Sequence, residues 1–352
     1  MKVIATTLVL CGLLALAKAN AATTNTVDSA LRRSAVLLTR AASNWQQHKT
    51  CFSCHHQTLP VLALTELARA GVHLEPAWLK SQTATTHKYF DDRIEDMDEG
   101  NHVPGGSTTA GYGLWALSMA DASSDQTTTA IVTYLLKIQG VARLQGRAPT
   151  DLSRLPNGRW TTSCRRLPMQ GSDVADTVLA LIGMEKYATE GQRPQVAKAR
   201  EAAEKWLVQT PLKTQEDRIW RLWGLHRLSG DATAKAAVRQ AIVAAQREDG
   251  GWPQTDEQPS DAFSTGQTLF VLRQTGSPAD DPVVLRARDY LLRTQLADGS
   301  WRVESRVKVK AQPYFENGDP HGEHQFLSTA ATAWATAALA QFPASKDGSI
   351  KR

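Results

Sequence analysis

Apolar residues along this chain recur at spacings of three and four, and almost nowhere do they alternate with period two. Across 26–46, Leu31, Ala35, Leu38 and Ala42 fall on one face, which predicts an amphipathic first helix. Pro60 opens a second over 61–70, and Gly71 supplies its stop. The same spacing predicts helices over 76–90, 107–120, 126–139, 173–188, 194–209, 215–228, 232–246, 261–274, 282–295 and 325–342. The chain is therefore expected to be all-α, with about twelve helices in six pairs.

Repeats support the pairing. Tyr290-Leu291 leads to Gln295 and then to Gly299-Ser300-Trp301, and Ala241-Ile242, Gln246, Gly250 and Trp252 reproduce that spacing one unit earlier. Tyr134-Leu135 and Gln139 begin the same pattern, but Gly158-Arg159-Trp160 follows only after an insertion. Ser172-Asp173 before Thr177 matches Ser260-Asp261 before Thr265, and Ser or Asp at such positions caps a helix start.

The unit ending at Trp301 has a basic residue, an aromatic-Leu pair, Gln and Gly-x-Trp, as in the QW motif of squalene–hopene and oxidosqualene cyclases. The chain resembles the terpenoid cyclase/protein prenyltransferase α/α-toroid superfamily over roughly residues 30–342, most strongly from 240 onward. More narrowly, it resembles secreted bacterial proteins with squalene-cyclase repeats. These carry an N-terminal motif like Cys51-x-x-Cys54-His55-His56-Gln57 and end in a stretch like His321-Gly322-Glu323-His324-Gln325-Phe326-Leu327-Ser328, then Trp334-Ala335. The resemblance implies an (α/α)6 toroid, with six parallel inner helices around a cavity and six antiparallel outer ones. The Gln and Trp of each QW unit would tie an outer helix end to its neighbours.

In such a toroid the inner N-termini share one rim. The segments 51–57, 100–107, 164–172, 250–260 and 319–328 are expected to meet there, while the sixth, the turn near Lys213, carries no obvious chemistry. His55, His56, Cys164, Asp173, Trp252, Asp261, His321 and His324 lie in or beside these segments. Six converging helix N-termini would favour anions and depress thiol pKa values.

The first residues change the picture by setting a compartment. Met1-Lys2, an apolar run from Val3 to Ala17 and Ala17-Lys18-Ala19 read as a secretory signal cleaved after Ala19. The run is too short to be a membrane span, and Leu10 before Cys11 departs from a lipoprotein signal. The expected organisation is a leader over 1–19, one toroid domain over 20–343 and a polar tail over 344–352. The protein is then periplasmic or secreted, where thiols are oxidised, ligated or covalently modified. Three cysteines remain after cleavage: Cys51, Cys54 and Cys164. The formal charge of +5 includes Lys2 and Lys18, so 5 − 2 = +3 remains on the mature chain, and no basic block suggests nucleic-acid binding.

The cysteine motif admits three readings. Cys51-x-x-Cys54-His55 is the attachment pattern for haem c, with His56, His321, His324 or Met169 as a sixth ligand. Cys51, Cys54, His56 and Cys164 instead have the donor types of a zinc site. A Cys51–Cys54 disulfide, with no cofactor, is the third. Class II terpene cyclases protonate their substrate from a D-x-D-D motif. The closest text here, Asp96-Met97-Asp98-Glu99, departs from it, and Asp173 and Asp261 are further carboxylate candidates. Trp160, Trp252 and Trp301 read as structural, whereas Trp115, Trp223 and Trp334 lie within inner helices and either face a cavity or pack against the outer layer. The implied functions are a cyclase-like enzyme or binder of an apolar, isoprenoid-like ligand, a haem c protein with a redox partner, or a carbohydrate-related or non-catalytic toroid.

Overall fold

A computed structural model of the chain describes residues 26–101, 103–141, 158–161, 166–228, 231–307 and 316–342. All twelve expected helices form. They are α1 (Val27–His48), α2 (Leu59–Arg69), α3 (Pro76–Asp91), α5 (Gly106–Met119), α6 (Gln126–Ile138), α7 (Asp173–Tyr187), α8 (Arg193–Gln209), α9 (Gln215–Leu228), α10 (Ala232–Ala244), α11 (Ala262–Gln274), α12 (Pro282–Thr294) and α13 (Gln325–Leu339). A short α4 (Ile94–Glu99) is additional, and a π-helical turn over Cys54–Thr58 leads into α2. One small antiparallel pair, β1 (Trp252–Pro253) and β2 (Ser260–Asp261), shapes the rim before α11.

Local chemistry sets the helix starts. Thr26 and Ser29 form a capping box on α1, and Asp125 and Thr128 form another on α6. Proline occupies the first turn of α2, α3, α8 and α12, where its missing N–H costs no helical bond.

The helices α2, α5, α7, α9, α11 and α13 pack each on the next, and α13 returns to α2 to close the ring. These six are buried on nearly every side, as an inner layer requires, whereas α10 buries only Val238 and Ile242. The inner helices are parallel. Near their N-termini the Ser172 hydroxyl donates to Asp217 (2.6 Å) and Thr108 to Asp176 (2.8 Å), while near their C-termini Lys186 donates to Ser118 O (3.1 Å) and Arg273 to Gln341 O (3.1 Å). Gly266 permits the tight α11–α13 contact, since a Cβ there would lie 2.7 Å from the Ala335 nitrogen.

Three repeated brackets hold the outer layer. The Gln246 amide donates to Gly250 O and Val283 O, both at 2.9 Å, joining the turn after α10 to the start of α12. Gln139 bridges Gly158 O and Ala199 O, and Gln295 bridges Gly299 O and Ala30 O. In each unit the tryptophan indole donates back to the preceding outer helix, Trp160 to Leu135 O, Trp252 to Ile242 O and Trp301 to Leu291 O. Its backbone N–H donates to a threonine of the next inner helix: Thr177, Thr265 or Thr332. The Gln295 bracket, reinforced by Arg33, closes the outer ring between α12 and α1.

The centre of the ring is aromatic. Trp115, Trp220, Trp223, Trp334 and Phe270 meet with ring centroids 5.1 to 6.4 Å apart, so the tryptophans placed to face the cavity fill much of it. Among the described residues no helix is long and apolar enough to cross a membrane.

Candidate functional site

The N-terminal mouth of the ring holds a small pocket, whose empty space reaches about 320 Å³ only when the open solvent at its mouth is counted. Glu216, Gln267, Gln254, Ser264 and Arg306 supply its polar wall, and Phe263, Leu167 and Pro168 its apolar one. Glu216 belongs to the first turn of α9, one turn before Trp220 on the inward stripe, so the helix that carries the aromatic centre also presents a carboxyl above it. The turn near Lys213, which the sequence marks as carrying no obvious chemistry, therefore leads into two pocket-lining residues, Thr214 and Glu216. Its Lys213 and Thr214 N–H groups bind Asp217, which leaves the neighbouring Glu216 to face the pocket.

Burial, reinforced by Asp217, pushes the Glu216 pKa up to about 8, against the opposing influence of Gln267 and Trp220. Gln267 and Trp220 stand close enough to Glu216 to act on it, but among the described residues neither Glu216 Oε1 nor either polar atom of the Gln267 amide makes a hydrogen bond of ordinary geometry. Asp176 stands on α7 in the same region. It accepts from the Ser107 and Thr108 hydroxyls, yet burial and Asp173 raise its pKa to about 7. Tyr112 is buried between these groups. Burial raises its phenol pKa, and Cys54, Glu216 and Asp176 all push it further, so each of the three lies within electrostatic reach of Tyr112.

Asp261 is near this pocket but engaged. It caps α11 through Ser264 N (2.9 Å) and accepts from the Gln254 amide (2.9 Å), and burial lifts its pKa to about 6 against those bonds. Asp173 pairs instead with Arg159 at 3.3 Å. Asp96 and Asp98 are exposed on α4 and do not line the pocket, because the acidic stretch forms a surface helix with only Met97 turned inward.

The cysteine motif occupies the mouth beside α2. Ser53 caps the π-turn by accepting from His56 N, and its hydroxyl lies 3.0 Å from His55 Nδ1. Cys51 is exposed and Cys54 half-buried. His55 stacks on Phe326 at 4.6 Å and meets Trp45 edge-on. Its Nδ1 also contacts His56 Nδ1. His56 is fully buried, with Nε2 2.6 Å from Asp319 Oδ2 and 3.3 Å from Asn317. Burial, the adjacent His56 and Arg166 hold His55 well below the ordinary imidazole range, and burial lowers His56 despite Asp319.

The 319–328 segment thus reaches the motif, but through Asp319 and Phe326 rather than His321 and His324. His321 points to the third bracket, where Nε2 lies 2.7 Å from the Ser300 hydroxyl, and His324 accepts from Ser305 N. A ligand set joining either to His56 is not assembled. Among the described residues no group of three or more His, Cys, Asp and Glu side chains is placed to hold a metal. Cys164 of the expected zinc set, the leader and the polar tail lie outside the described residues. Sequence reasoning missed Glu216, Asp176, Gln267, Arg306, Tyr112 and Asp319. The readable signal for the first three was a polar residue on an otherwise apolar inner-helix stripe, as Glu216 precedes Trp220 and Trp223, and Gln267 precedes Phe270.

Residues 224–295, which contain the Gln246–Trp252 bracket, match the family model described as the squalene-hopene cyclase N-terminal domain. No curated protein matches the chain. Among solved structures, a protein from Actinoplanes is 15% identical, with 90% of this chain and 99% of that one covered and a TM-score of 0.54. The unsaturated glucuronyl hydrolase of Bacillus sp. GL1, responsible for degradation of glycosaminoglycan, is 12% identical over 89% and 96% of the two chains, with a TM-score of 0.52. A glycosidase variant gives 11%, 89%, 98% and 0.55. At these identities the likeness is one of fold.

Proposed function

We propose that this all-α toroid, which matches a squalene-hopene cyclase domain over residues 224–295, is an exported protein that takes a small polar ligand at the N-terminal mouth and protonates it from Glu216. The observation that carries this reading is the Glu216 carboxyl, buried at the pocket wall with no hydrogen bond of ordinary geometry at Oε1 among the described residues. An acid whose pKa is about 8 keeps its proton at neutral pH and still has a driving force to give it up. Asp176, raised to about 7 and held by the Ser107 and Thr108 hydroxyls, does not line the pocket; its charge acts on Glu216 and helps that carboxyl keep its proton.

The lining favours a hydroxyl-rich ligand over an isoprenoid chain. Two glutamines, a serine and an arginine offer hydrogen bonds, whereas an extended apolar chamber is opposed by the mutual packing of the tryptophans. Acid-assisted cleavage at a glycosidic oxygen is the reaction class that fits these groups, and two toroids of similar fold are named for glycoside hydrolysis. Release of the aryl group from a panel of aryl glycosides tests it. Glu216→Gln is expected to lower turnover by about 10²–10⁴-fold with the fold intact. Absence of hydrolysis by the wild type across the panel, or full activity in the variant, would refute the reading.

The cysteine motif supports a second reading, a haem c centre. The Ser53 hydroxyl beside His55 Nδ1 is the kind of contact that orients an iron-ligating imidazole. Cys51 and Cys54 would hold the haem covalently and His55 would ligate it, beside the apolar rings of Trp45 and Phe326; bound haem would supply one-electron transfer. Expression with the periplasmic attachment machinery should then give a Soret band and an added haem mass. If both are missing, the haem reading fails, and metal content compared between wild type and Cys54→Ser tests zinc, which unchanged content would exclude.

A further inference from the structure

We infer that Arg306 anchors an oxyanion, a carboxylate or phosphate group of the pocket's ligand, and so selects charged over neutral molecules. This rests on reading the pocket as a ligand site, though not on Glu216 acting as an acid.

Arg306 lies in the connection between the third bracket and α13, and it reaches across the mouth to the β1 turn. Its Nε donates to Gln254 Oε1 at 2.9 Å, and the Gln254 amide in turn donates to Asp261 at 2.9 Å. That chain of bonds fixes the plane of the guanidinium and uses one of its donors. The terminal nitrogens remain at a pocket that Arg306 itself lines. Arg306 forms no ion pair within 4 Å among the described residues, although it is only partly exposed. Partly buried cations are ordinarily matched by an anion, because desolvating an unpaired charge is costly. The two nearby carboxyls supply that match only at a distance. Glu216 keeps its proton at neutral pH, and the Asp261 carboxylate acts on Arg306 across the Gln254 amide without an ion pair within 4 Å.

A second observation points to the same ligand. Gln267 is 1% exposed, lines this pocket beside Glu216 and makes no hydrogen bond of ordinary geometry through either amide atom among the described residues. A buried amide left unbonded is costly, so the pocket is arranged for a bonding group that arrives from outside. An oxyanion set between Arg306 and Gln267 would accept from the guanidinium and from the amide N–H, while protonated Glu216 could donate a further bond. A neutral hydroxyl in the same place would leave the cation unmatched.

Calorimetric titration of the full mature chain at low ionic strength tests this, with sodium glucuronate, glucose and inorganic phosphate as probes. One or both anions should bind the wild type, with glucose weaker. Which anion binds more tightly tells whether the natural group is a carboxylate or a phosphate. Arg306→Gln should weaken the anion by roughly 30-fold or more, the loss expected when one partner of a buried charge contact is removed, and leave glucose unchanged. Arg306→Lys, which keeps the charge but loses the planar fork, should retain the preference at reduced affinity and controls for misfolding. Glu216→Gln should still bind the anion, so a failed hydrolysis assay with intact binding refutes only the acid role. Equal binding of glucose and glucuronate, unchanged affinity in Arg306→Gln, or no anion binding by the wild type would overturn the inference.

Discussion

Glu216, Asp176 and Gln267 each interrupt an inner-helix stripe that otherwise packs apolar side chains, and each is nearly inaccessible to water. Two of them titrate in an unusual range, with a consequence for stability. Glu216 moves from 4.5 to about 8, and Asp176 from 3.8 to about 7. Between the lower and upper value of each, the folded chain holds a proton that the unfolded chain releases. Their contribution to stability is therefore full at acid pH, falls as pH rises through the window and is lost above the upper value. Thermal midpoints measured across that window should decline toward the alkaline end in the wild type and decline less in Glu216→Gln, with Asp176 retaining part of the slope. Parallel curves would contradict the assignment of Glu216. In the sequence, Glu216-Asp217 looks like an ordinary acidic first turn, because adjacent carboxylates at a helix start are usually solvated. Only packing shows that Asp217 turns to the loop amides while Glu216 lines the pocket.

At the scale of elements, the brackets were legible because their spacing recurs and each position has one physical task. The glutamine has two donors for two carbonyls, the tryptophan has one indole N–H to return, and the glycine must adopt positive φ against a neighbouring backbone. At Gly250 φ is +87°, and a Cβ would lie 2.5 Å from Arg286 O. Gly276, after α11, has φ of +97° but nothing within 4 Å. Gly276→Ala should thus cost only its backbone strain, roughly 1 kcal/mol, and Gly250→Ala roughly 3 kcal/mol or more, since the outer helix must also move. Urea unfolding of the two variants measures the difference, and equal costs would mean that the bracket yields freely. The first bracket keeps the same bonds across its longer connection, so the three contact points matter more than the path between them. The cysteine turn was less readable. His321 and His324 are better ligand types than Asp319 and Phe326, yet the backbone aims the latter pair at the motif.

For the molecule as a whole, ring closure matters most. The Gln295 amide and the Arg33 guanidinium join α12 to α1, residues 262 apart in sequence. Such contacts carry a large loop-closure cost and form once most of the ring is in place. Gln295→Ala should therefore raise amide hydrogen exchange in α1 and α12 together, more than in α6 or α7 on other parts of the ring. A rise confined to α12 would show that the seam is held elsewhere. The same closure brings six inner N-termini to one mouth and forces the tryptophans of α5, α9 and α13 together at the centre.

Periodicity and repeat spacing determined the helices, their pairing and the bracket chemistry, because these depend on neighbours within one unit or between successive units. The regions that meet at the mouth were also legible, since parallel inner helices require it. Which side chains face one another there was decided only by the closed ring. A one-third turn of a helix separates Glu216 from Asp217, and two residues separate Asp319 from His321, distances too small for pattern to resolve but large enough to change which group is buried. The pocket between Glu216, Gln267 and Arg306 is built from three separate parts of the chain, and it exists only when the ring brings them together.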